Sequence, residues 1–162
     1  MDGPNLWIVL ALGLVAIGWY LTYTAARLDR LHARVQGTLA ALDAQLVRRA
    51  EATLELANAR VLDAASALML ASAASDSLSA AEDEDTDADR QRFSNERETV
   101  ESRLSEALGL ALTADTLASL PGAGGFGDDI VSRVRATGLR VQLARRFHND
   151  AVTDVRRVRR QW

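Results

Sequence analysis

The chain has no cysteine and no lysine, and only two histidines, His32 and His148. The missing cysteines exclude a disulfide framework and a thiolate metal site, and they leave the redox compartment open. With lysine absent, all nineteen basic residues are arginine; together with frequent alanine this matches the codon bias of a GC-rich bacterial genome. Proline occurs only at positions 4 and 121, so long helices meet no obstacle between them. Aromatics make up 5% of the residues, too few for a series of stacking platforms along a nucleic acid. At 162 residues the chain has room for one core.

What is present begins with an uncharged stretch from Gly3 to Ala26. Its "LWIVLALGLVAIGWYLTYTAA", residues 6–26, matches the roughly 20 apolar residues that cross a hydrocarbon core about 30 Å thick. Asp2 precedes it and Arg27, Arg30, His32 and Arg34 follow, so the positive-inside rule places residues 1–5 outside and the body, 27–162, in the cytoplasm. Trp7, Trp19, Tyr20 and Tyr23 are spaced as interfacial aromatics near the two ends. A cleaved signal peptide is the rival reading, but it requires a basic leading region and a shorter apolar run. The expected location is a bacterial inner membrane, crossed once. Gly13 and Gly18 are five apart, which is not the close-packing spacing of a transmembrane dimer.

Beyond the apolar segment, Leu28, Leu31, Val35, Leu39, Leu42, Leu46, Ala50 and Leu54 recur in steps of three and four, one helical stripe. The anchor and residues 27–58 therefore form one long helix. Asp63 then caps a second helix, 63–81, with Leu68, Ala71, Ser75 and Leu78 on one face. The run "EDEDTDAD", 82–89, holds six acids. It reads as a solvated loop, because a calcium loop would need a glycine turn and a spaced terminal glutamate. A third helix, 88–120, is carried by Phe93, Val100, Leu104, Leu108 and Leu112. The glycine-rich "PGAGGFG", 121–127, connects to a fourth, 128–162, capped by Asp128 or Asp129. A phosphate loop there would need a preceding strand and a Lys-Ser or Lys-Thr pair. The last helix carries a heptad-like seam of Ile130, Val134, Thr137, Val141, Ala144, His148, Ala151, Val155, Val158 and Trp162. The expected fold is all-α, an antiparallel up-down bundle of about four long helices continuing from the transmembrane helix.

Charge is unevenly placed. Residues 133–162 hold nine arginines against Asp150 and Asp154, a net of plus seven, while the whole chain is at minus three. In an up-down bundle the fourth helix returns to the membrane. Arg156, Arg157, Arg159 and Arg160 then join Arg27, Arg30 and Arg34 in a basic collar facing anionic headgroups, with Trp162 at the interface. The abrupt end on Trp162 leaves open a continuation into a membrane-surface helix. Nucleic-acid binding is the competing use of such arginines, but no reading module accompanies them.

The pieces "LDAQLVRR" and "ARRFHNDAV", in the helix after the anchor and in the last helix, resemble the LemA family of bacterial membrane proteins. The resemblance implies an amino-terminal anchor bearing a cytoplasmic helical bundle, and prescribes no reaction. Asp43, Gln45, Arg48, Arg49, Arg145, Arg146, Asn149 and Asp150 match. The chain departs in "AEATLEL", where members have Asp-Leu-Ile-Pro-Asn-Leu, in His148, where an aromatic is usual, and in "DVR" at 154–156, where Asp-Tyr-Asn is usual. It therefore resembles a divergent member.

Counted along the helices from the distal turns, Asp43 and Arg145 lie roughly 22 and 27 Å towards the membrane. Asp43 and Arg49 flank the stripe of the first helix on opposite sides. These heights predict an interhelical network in which Asp43 meets Arg145 or Arg146; a partner-binding surface is the equal alternative. His148 in the seam reads as a packed, hydrogen-bonded residue, since no second ligand sits at metal spacing. No nucleophile with a base, metal triad or cofactor loop is present, and the adjacent Asp128 and Asp129 diverge on a helix. The expected activity is a non-enzymatic scaffold or adaptor, without cofactor, metal, nucleic acid or small-molecule substrate. Its partners are the membrane and either other proteins or copies of itself, and a sensor of anionic lipid is the second class.

Overall fold

A computed structural model describes the backbone of residues 3–82, 90–120 and 125–160. Among these residues the protein is all-helical: α1 (Gly3–Asn58), α2 (Ala64–Glu82), α3 (Arg90–Ala111), the short α4 (Ala114–Ser119) and α5 (Phe126–Arg159). Most of the acidic run and residues 121–124 of the glycine-rich stretch lie outside them, as does Trp162.

The 56 residues of α1 contain the whole apolar segment and continue beyond it without a break. The most apolar 18-residue window has a mean hydropathy of 1.8, and none of it is buried within the protein. α1 stops after Asn58, where Ala59 N donates to Leu56 O at 3.2 Å. Arg60 then takes the left-handed conformation, φ 57°, which reverses the chain at a position glycine usually occupies. Asp63 Oδ1 accepts from the backbone N–H of Ala65 and Ser66, both at 3.0 Å, and starts α2. Those bonds, led by the Ser66 hydroxyl and backbone, hold the Asp63 carboxyl below its ordinary 3.8.

The chain divides into two compact units, Met1–Leu39 with His148–Trp162, and Ala40–Phe147. In the first, Arg34 meets Asp154 at 3.5 Å and Thr38 meets His148 at 3.3 Å, so α1 and α5 run antiparallel there. The second holds the core. Ala52, Leu56 and Ala57 of α1 pack with Leu70 of α2, Ala107 and Ala111 of α3, and Ile130, Val131 and Val134 of α5. A smaller cluster joins Ala50, Ala74 and Leu104. Alanine at these contacts lets the helix axes approach closely.

Three expectations are corrected by the packing. The predicted third helix divides at Leu112–Thr113, where the Thr113 hydroxyl caps α4 by accepting from Thr116 N. α5 begins two residues early, at Phe126, so Asp128 and Asp129 lie in its first turn, where they favour the positive end of the dipole rather than cap it. In α2 the buried face is Leu70, Ala74 and Ser77, while Leu68 is 73% exposed. Alanine on every side of α2 leaves little hydropathy contrast from which to choose a face.

Candidate functional site: a buried arginine and glutamate network

Within the second unit the buried arginines and Ser77 converge on one carboxylate. Glu101 of α3 is 1% exposed. Its Oε2 accepts from Arg49 Nη2 of α1 at 2.5 Å, and its Oε1 accepts from Ser77 Oγ of α2 at 2.6 Å. Arg97, one turn earlier on α3, brings Nε to 3.4 Å from the same Oε1. Arg49 also donates through Nη1 to Ser105 Oγ at 3.0 Å and through Nη2 to the Glu101 carbonyl at 3.2 Å. Arg97 reaches back to α1, donating from Nη2 to Asp43 Oδ1 at 2.9 Å. Three helices are thus fixed in register by two guanidinium groups and two carboxylates of balanced charge.

Helical geometry explains how one short segment supplies so much. Arg97, Glu101 and Ser105 are four apart and lie on one side of α3. Arg49 is four before Thr53, whose hydroxyl returns to the Arg49 carbonyl at 2.8 Å. Arg49 itself is only 7% exposed, so it lies inside the buried stripe of α1 rather than at its flank.

The network is not saturated. Gln45 Oε1, Arg49 Nε and Arg97 Nε and Nη1 are buried without a hydrogen-bonding partner. Each such group costs about 1–3 kcal/mol, and the three guanidinium nitrogens belong to this cluster. The arrangement holds three helices in place, and Arg97 also lines a cleft of about 330 Å³ between α2 and α3 with Asp76, Ser79, Glu96 and Arg103.

Among the matching residues, Asp43 and Arg49 join this network through Arg97 and Glu101, and Gln45 has a buried Oε1 one turn before Arg49. Asp43 takes Arg97 as its partner, which corrects the expected pairing with Arg145 or Arg146. Those two arginines, with Arg48, Asn149 and Asp150, are exposed. Arg97, Glu101, Ser77 and Ser105 were missed by sequence reasoning. The spacing Arg97–Glu101 was a signal for them, but the same spacing decorates countless solvated helices.

In the first unit, Arg27, Arg30, Arg34, Arg156, Arg157 and Arg160 are exposed, and the side chain of Arg159 lies outside the description. His148 is half-buried, and Thr38 Oγ1 donates to Val35 O at 2.9 Å while lying 3.3 Å from His148 Nδ1. No group of three His, Asp or Glu side chains suited to a metal occurs among the described residues. No family model, no curated protein and no solved structure matches the chain.

Proposed function

We propose that this protein is a non-enzymatic scaffold, anchored in a bacterial inner membrane by residues 6–26, that presents an up-down helical bundle to protein partners in the cytoplasm. The observation that carries it is the surface of α1, where Trp7, Leu10, Leu14, Ile17 and Leu21 are all more than half exposed. An apolar wall of that length needs lipid or another apolar surface around it. The arginines after the segment orient it with the body inside. The resemblance to the LemA family, which implies the same plan, supports the reading.

The test is extraction and topology. Membranes carrying the protein are washed at alkaline pH and then probed by thiol labelling of single cysteines placed at Asn5 and Glu55. Retention in the pellet, with Asn5→Cys labelled from outside and Glu55→Cys only after permeabilisation, is the expected result. Release into the wash would sink the anchor.

A second reading has its own observation. The exposed arginines of α1 and α5 belong to the same unit, which favours a sensor of anionic lipid, each arginine contributing about 1 kcal/mol near headgroups. Binding of the chain lacking residues 1–26 to anionic vesicles, lost on raising the salt, is its expected signature.

A further inference from the structure

Among the described residues, the second unit carries two exposed apolar surfaces of opposite charge. On α5, Leu139, Leu143 and Phe147 are 66%, 52% and 56% exposed. They are four apart and form a ridge on the side turned away from the buried Val134, Thr137 and Val141. The surrounding arginines, Arg135, Arg140, Arg145 and Arg146, are exposed, and residues 135–147 contain no acid. Between α2 and α3 runs a cleft of about 270 Å³ whose wall includes Met69, Ala73, Val100, Ala107 and Leu110. Leu110 is 63% exposed. Residues 61–82 hold Asp63, Asp76 and Glu82 and no arginine, and the exposed glutamates 96, 98 and 106 of α3 outnumber Arg103.

We propose that the chain associates with itself head to tail, the Leu139–Leu143–Phe147 ridge of one copy seating in the α2–α3 cleft of the next. Apolar knobs at helical spacing meet an apolar cleft between two helices, the mode by which an amphipathic helix docks in a groove. Arg140 and Arg146 then meet a cleft lined by Asp76 and Glu106 against one arginine, Arg103. Ridge against ridge would set four arginines against four, and like charges facing across an interface oppose association. The contact is therefore heterologous, and its repetition builds a ring or a row. The inference rests on the scaffold reading and names its partner as a second copy.

The absence of native cysteine gives a clean test with the full chain in lipid vesicles. Leu143→Cys in one preparation and Leu110→Cys in another are mixed during reconstitution and oxidised. Mixed dimers, with none from either variant alone, and a ladder from the double variant, are the expected result. Arg140→Glu with Arg146→Glu on the Leu143→Cys chain lowers the mixed dimer about tenfold, the equivalent of 1.4 kcal/mol. Asp76→Arg with Glu106→Arg on the other chain restores it. All these positions are exposed, and unchanged helical circular dichroism checks the fold. Dimers from Leu143→Cys alone would mean that the ridge faces itself, and would overturn the proposal. Absence of dimers in every combination would overturn it as well. If Leu143→Cys then crosslinks a different protein in native membranes, the scaffold survives without self-association; if the alkaline wash releases the chain, the scaffold itself falls.

Discussion

The core of residues 40–147 has two parts of opposite character. In one, Leu56, Leu70 and Ile130 meet across three helices with alanine and valine between them. In the other, Arg49, Arg97 and Glu101 are also buried and hold the helices through charge. The apolar part supplies free energy, since each large side chain removed from water is worth about 1.5–3 kcal/mol. The ionic part contributes little net, because desolvation consumes most of the Coulombic gain. What it adds is register: leucines tolerate sliding past one another, whereas a guanidinium committed to Glu101 does not.

The contrast is sharpest when the counter-charge is removed. Glu101→Gln leaves Arg49 and Arg97 buried with only Asp43 opposite them, and about 3–5 kcal/mol of stability is lost. Thermal unfolding of the full chain in mild detergent, followed by circular dichroism, measures it. The double replacement Arg49→Met with Glu101→Met costs less than Glu101→Gln alone, because the charges leave together. A double variant no more stable than Glu101→Gln would show that the network contributes net free energy and would break the distinction drawn above.

In the apolar part, Leu56→Ala costs about 2–5 kcal/mol through lost burial and a residual cavity. Unlike Glu101→Gln, it leaves no unpaired charge, so its unfolding stays sharp and its helix register is unchanged by single-cysteine crosslinks between α1 and α3.

Smaller effects come from the turn that joins α1 to α2. Arg60 adopts φ 57°, a conformation costly for any residue with a Cβ. Arg60→Gly therefore raises stability by about 0.5 kcal/mol after the greater unfolded-state freedom of glycine is counted, read as a rise in the unfolding midpoint. Smallest is the pH response of the Asp63 cap. Its folded pKa lies below 3.8, so its contribution is complete at neutral pH and fades as pH falls through the lowered value. The helical signal of wild type at pH 3 should approach that of Asp63→Asn at the same pH, the difference between them being larger at pH 7.

The two parts also differ in how far the sequence discloses them. The stripe Leu46, Ala50 and the seam Ile130, Val134, Thr137 and Val141 stand out because hydropathy repeats at the helical period, and those residues are buried. Arg49 obeys the same period but carries a charge, so a search for apolar positions sets it beside the stripe. On α2 the periodicity set Leu68 and Leu78 on one face, yet Leu78 packs against the core while Leu68 is exposed, since alanine on every side gives the period little contrast. The basic residues 145 and 146 looked like partners for Asp43 because height along a helix can be counted, whereas the side of the neighbour that it meets cannot.

By itself, then, the sequence determined the helical class, the continuity of α1 through its apolar segment, and the positions of the breaks at 59–63 and near 121, because these depend on local periodicity, proline, glycine and capping. Only the tertiary structure decided that Asp43 and Arg49 answer to Arg97 and Glu101 of α3. That choice depends on which helix lies alongside α1 and at what rotation, and it is set by the shapes of alanine-rich surfaces that repeat almost equally on every side of their helices.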